Sequence, residues 1–149
     1  MDEMIELLKT PESCEQFARN VELRQPERAQ QARRKAVKLR AESEGATNAI
    51  EQACWEAVYA YERTLYKRWR RAVPASYTRR MISELGILPA VDRTVLKKKE
   101  TKGYQALVAE GMQDMAFEAV VLRYPDAFSD RAVAQSKERM AAWQHSDGA

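Results

Sequence analysis

"TNAIEQACWEAVYAYERTLYKRWR", residues 47–70, decides the fold. Ile50, Cys54, Ala57, Tyr61 and Leu65 recur at helical spacing along one face. Trp55, Tyr59, Tyr66 and Trp69 follow an adjoining line. An apolar arc that wide needs neighbours on two sides, so the stretch reads as the long central helix of an all-α domain, about 47–70. The rings of Trp55, Tyr59 and Tyr66 are expected inside.

The flanks carry the same period. Thr10-Pro11-Glu12 is a helix start, with a capping hydroxyl, a proline whose missing N–H costs nothing in the first turn, and an acid at the positive helix end. Cys14, Phe17 and Val21 then form a stripe. Pro26 opens a helix in which Ala29, Ala32, Ala36 and Leu39 keep the spacing until Ser43-Glu44-Gly45 closes it.

Beyond Pro74, "SYTRRMISELGILPAVDRTVLKKK" predicts a short helical hairpin over about 76–98, turning at Gly86, with its second helix opened by Pro89. It loosely resembles a helix-turn-helix. However, Pro89 and Asp92 fall where that motif wants other residues, which favours a generic hairpin. A brief helix from Tyr104 ends at Gly111. Another runs continuously from Met112 to Pro125, and Ser129 caps a last one. No strand alternation or fixed-period repeat stands out. The expectation is a single-domain bundle of about six to eight helices over 1–144, with 145–149 a frayed tail.

Composition narrows the class. The 149 residues are 45% apolar and 32% charged with five glycines and five prolines, which excludes disordered and low-complexity chains. Cys14 and Cys54 lack CxxC spacing and read as buried thiols. No run free of charged residues exceeds seven, far short of the roughly 18 of a membrane span. The acidic start MDEMIELLK is unlike a signal peptide. A soluble cytoplasmic protein is expected.

Catalysis is not indicated. The only histidine is His145, which argues against His-based metal sites and nucleophile pairs, and no phosphate-cradling glycine loop is present. Pro125-Asp126 is not followed by the strand that a metal nuclease needs. Glu110, Asp114 and Glu118 read as a solvated acidic face. The sequence predicts no enzyme, no cofactor and no metal.

Charge along the chain is uneven. Residues 1–62 carry −3, 63–102 carry +9, and 103–149 carry −3. A concentrated positive field draws polyanions. The helix after Pro26 holds Arg28, Arg33, Arg34, Lys35, Lys38 and Arg40, with Arg24 just before it, against one acid, Glu27, between positions 24 and 40, largely without the mixed signs of ordinary surface helices. Cations at the end of the long helix are favoured by the negative helix terminus, but that explains one or two of Lys67, Arg68, Arg70 and Arg71, not all four.

The leading expectation is therefore a non-enzymatic protein that binds DNA or RNA through a mainly phosphate-directed surface. Its members would be Arg33, Arg34, Lys38, Lys67, Arg68, Arg70, Arg71, Arg79, Arg80, Arg93, Lys97 and Lys98. The alternative is a small regulatory or inhibitory module docking an acidic protein partner, with Trp69 and Tyr77 as anchors.

Overall fold

The computed structural model describes residues 2–71, 74–97 and 102–147. These form nine α-helices and two short 3-10 turns, with no strand among the described residues. The helices are α1 (Glu3–Glu6), α2 (Pro11–Val21), α3 (Pro26–Glu42), α4 (Ala49–Trp69), α5 (Ser76–Leu85), α6 (Ile87–Leu96), α7 (Lys102–Ala109), α8 (Phe117–Arg123) and α9 (Asp130–Asp147). The all-α class is as expected. Where one domain was expected over 1–144, the contacts divide the chain into two compact units, Met1–Ala46 and Thr47–Ala149.

In the first unit the predicted start of α2 is a reciprocal cap. Thr10 Oγ1 accepts from the Ser13 N–H at 3.1 Å, and the Thr10 N–H donates to Ser13 Oγ at 3.3 Å. Ala18, Ala29 and Ala32 pack α2 closely on α3, with Phe17 and Val21 at their side. The short α1 was not anticipated. Asp2 caps it through the Met4 N–H at 2.9 Å and accepts Arg28 Nε at 2.7 Å, while Lys35 Nζ donates to the Ile5 and Glu6 carbonyls at 2.7 and 2.8 Å. These bonds hold Ile5 fully buried.

In the second unit α4 starts two residues later than predicted because Asn48 is the cap, accepting the Glu51 N–H at 2.9 Å. Its buried face, Ala53, Cys54, Ala57 and Val58, meets Val91 and Val95 of α6, Phe117, Val120 and Val121 of α8, and Ala132 of α9. Small residues on α4 let the branched chains of α6 and α8 come close.

Gly86 alone joins α5 to α6, at φ 93° and ψ 168°, a conformation that side-chain-bearing residues rarely adopt. A joint of one residue is a plain helical hairpin, since helix-turn-helix units use three or four. α6 begins at Ile87, so Pro89 lies within its first turn, where an absent N–H is harmless. Asp92 fastens the start of α9 by accepting from the Ser129 N–H at 2.6 Å and its hydroxyl at 2.9 Å.

The continuous helix expected from Met112 is broken. A 3-10 turn at Gln113–Met115 ends at Ala116, whose backbone is extended (φ −61°, ψ 146°), and α8 starts afresh. α9 runs through Asp147, past the expected start of the tail at 145. Residues 148–149 lie outside the described residues.

Candidate nucleic-acid interface

The basic residues of α3 belong to the first unit, and most of their charge is answered there. Arg33 pairs with Glu22 at 3.0 Å, its side chain only 12% exposed. Arg40 lies 3.7 Å from Glu15, and Arg28 and Lys35 hold α1. Arg34 and Lys38 also have interactions of their own. The single-signed look of this helix arises because its acids come from residues 2–22.

Arg79 is similarly committed in the second unit. Its Nε donates to Glu62 Oε2 at 2.7 Å and its Nη2 to Oε1 at 2.8 Å. The guanidinium lies over the rings of Tyr59 and Trp55, 5.2 and 6.0 Å from their centroids. The bond to Glu62 holds Arg79 protonated well above its ordinary range, against the opposing effect of burial. Trp55 and Tyr59 are half-buried around this contact.

Two carboxylates expected in water are buried. Glu110 accepts Arg63 at 2.9 Å and Lys67 at 2.5 Å. Glu118, 2% exposed, accepts Arg139 Nη1 at 3.0 Å. Arg139 also donates to the Val95 and Lys97 carbonyls at the end of α6. Asp114, third of the expected acidic face, is exposed. Arg63 and Arg139 escaped sequence reasoning because their partners lie far along the chain. Lys67 keeps 68% of its side chain in water despite its partner.

The remaining cations gather at the end of α4. Arg68, Arg70 and Arg71 are exposed, and among the described residues Arg70 and Arg71 have no ion pair. Arg70 stops the helix in the left-handed region at φ 59°, its N–H donating to the Tyr66 carbonyl at 2.7 Å. It is the one non-glycine with positive φ among the described residues. Arg68 lies 5.3 Å over the Trp69 ring.

Tyr66 is 58% exposed and Trp69 53%. Tyr66 therefore leaves the core expected of it. The stripe Trp55, Tyr59, Tyr66, Trp69 is covered at its start by Arg79, and the exposed pair lies beyond that contact. The polar tail of the stripe, "YKRWRR", was the available signal. Arg80 and Arg93 are exposed on α5 and α6. The Lys97 ammonium lies 3.9 Å from the centroid of half-buried Tyr77. Lys98 lies outside the described residues.

The chain matches no protein-family model, no curated protein and no solved structure. No helix among the described residues is long and apolar enough to cross a membrane, and no three of their His, Cys, Asp and Glu side chains gather where a metal could be held.

Proposed function

We propose that the protein is a non-enzymatic, cytoplasmic binder of single-stranded DNA or RNA, acting through the end of α4. The observation that supports this reading is the pairing of two exposed rings, Tyr66 and Trp69, with Arg68, Arg70 and Arg71. Stacked bases gain about 1–3 kcal/mol each on aromatic side chains whatever their identity. Arginines beside them neutralise phosphates without reading sequence. Arg80, Arg93 and Lys97 add positive field. Arg33 and Arg79, bound to Glu22 and Glu62, contribute less.

A second reading, a small regulator that docks an acidic protein segment, draws on the same exposed Trp69 with Arg68 stacked on it, both residue types enriched at binding hot spots. Tyr77, half-buried under Lys97, offers less to that surface.

The test is fluorescence anisotropy with a labelled oligothymidine, an oligouridine and a duplex of equal length. Single strands bind more tightly, and with three or four phosphate contacts the log–log salt slope is about −2 to −3. Trp69→Ala weakens binding by about 1–3 kcal/mol. Absence of binding at ~50 mM salt, where the electrostatic contribution is strong, overturns the proposal. The second reading then stands if an acidic peptide binds and Trp69→Ala abolishes it.

A further inference from the structure

The second unit has a half-open cavity of about 740 Å³ among α4, α7, the starts of α5 and α8, the end of α6 and Trp143 of α9. That volume falls within the ~300–1,000 Å³ typical of small-molecule sites. Its wall is rich in rings. Tyr104 stacks on Trp143 at 4.9 Å and 21°, Tyr61 meets Phe117 edge-on at 6.1 Å, and Tyr77 lies beneath Lys97. All five rings line the cavity.

Its charges are unbalanced. Two carboxylates line it, but Glu110 is neutralised by Arg63 and Lys67, and Glu118 by Arg139. Arg68 and Lys97 also line it, and both are exposed. Among the described residues neither has an ion pair. An aromatic interior with surplus cations on its exposed side suits a ligand with one apolar end and one negative end.

We infer that this cavity binds a small organic anion, a ring-bearing body carrying a single carboxylate or phosphate, with the rings of Tyr61, Tyr104 and Trp143 around the body and Lys97 and Arg68 at the anionic group. Aromatic packing supplies contact area, and the cations orient the ligand by its charge. The inference does not rest on nucleic-acid binding; Arg68 and Lys97 are shared with that proposed surface, but the test reads small probes and changes neither Tyr66 nor Trp69.

Titration calorimetry of the full chain tests it with four probes sharing one ring system: 2-naphthoate, 2-naphthyl phosphate, 2-naphthalenemethanol and 2-naphthylmethylammonium. Both anions bind, the alcohol binds more weakly, and the ammonium binds least. The stronger of the carboxylate and the phosphate identifies the headgroup. Lys97→Gln, a change at an exposed side chain, weakens the anions roughly twofold to fivefold, the scale of one exposed charge contact, and leaves the alcohol unchanged.

Ala106→Trp places a ring in the cavity, where Ala106 forms part of the wall, and removes binding of all probes while circular dichroism stays helical. Binding of the ammonium as tight as the anions, or no binding of either anion, overturns the inference. So does anion binding that survives Ala106→Trp in a folded protein. If Ala106→Trp does not fold, the Lys97→Gln comparison decides: equal loss for anion and alcohol, or no loss of either, also overturns it.

Discussion

Arg79 grips Glu62 with both arms of its guanidinium, at 2.7 and 2.8 Å, and Glu62 Oε2 also accepts the N–H of Ala75 at 2.7 Å. One carboxylate of α4 thus holds the start of α5, which otherwise has no side-chain cap. The arginine counted from sequence as a phosphate ligand acts here as a structural brace.

Breaking that brace destabilises the second unit. Arg79→Met leaves Glu62, 15% exposed, without its main partner. The loss is about 2 kcal/mol, less than the ~3–5 of a fully buried pair because a third of Arg79 remains in water. Arg79→Lys recovers little, since an ammonium cannot form the paired contact. In urea titrations the double variant Glu62→Gln/Arg79→Met loses less than the sum of its single changes. Strict additivity would show that the two residues do not act together.

Burial pushes the Cys54 thiol up to about 12 from 9.0, and raises Cys14 in the same direction. Cys54 is fully buried. Its proton stays on in the folded protein at pH values where the unfolded chain has lost it. Stability is therefore unaffected below about pH 9 and falls as pH rises from there toward about 12. A bulky disulfide reagent labels neither thiol rapidly at pH 8 in the native state and labels both in urea. Rapid native labelling of Cys54 would contradict its burial.

Much of the architecture was legible because helical spacing and caps are local signals. Thr10 and Ser129 sit at helix starts as read, and α4 lies within two residues of its reading from sequence, its cap Asn48 having been missed. The break at Ala116 was not legible, since Met112, Met115, Ala119 and Leu122 keep apolar spacing across it. Ion pairs were hidden for a different reason. Arg28 meets Asp2 across 26 residues, and Arg63 meets Glu110 across 47, so a segment's net charge says little about how much of it faces solvent. The proposed interface accordingly centres on Arg68, Arg70 and Arg71 beside Tyr66 and Trp69, with Arg80, Arg93 and Lys97 adding field.

Arg139 guards the most buried carboxylate described. Arg139→Met takes from Glu118, 2% exposed, the guanidinium it pairs with at 3.0 Å and costs up to about 3–5 kcal/mol. Glu118→Gln on that background regains part of the loss, because a neutral amide is cheaper to bury than a carboxylate that has lost its cation. Since Arg139 also accepts the burden of the Val95 and Lys97 carbonyls by donating to both, hydrogen exchange quickens near the end of α6. A urea midpoint unchanged by Arg139→Met would show that Glu118 finds another partner.

Arg70 separates stability from binding. Its left-handed backbone at φ 59° is one that glycine adopts without strain. Arg70→Gly removes a conformational cost of about 1–2 kcal/mol, partly offset by the greater freedom of glycine in the unfolded chain, so the protein gains up to about 1 kcal/mol in urea. The same change removes a cation beside Trp69. Affinity for oligothymidine falls, and the log–log salt slope becomes shallower by about 0.7, the contribution of one single-strand phosphate contact. Arg71→Ala, outside the helix cap, weakens binding with little change in stability. A variant at Arg70 that gains stability and binds as before would mean that the strained arginine is not retained for a polyanion, and would remove it from the proposed interface.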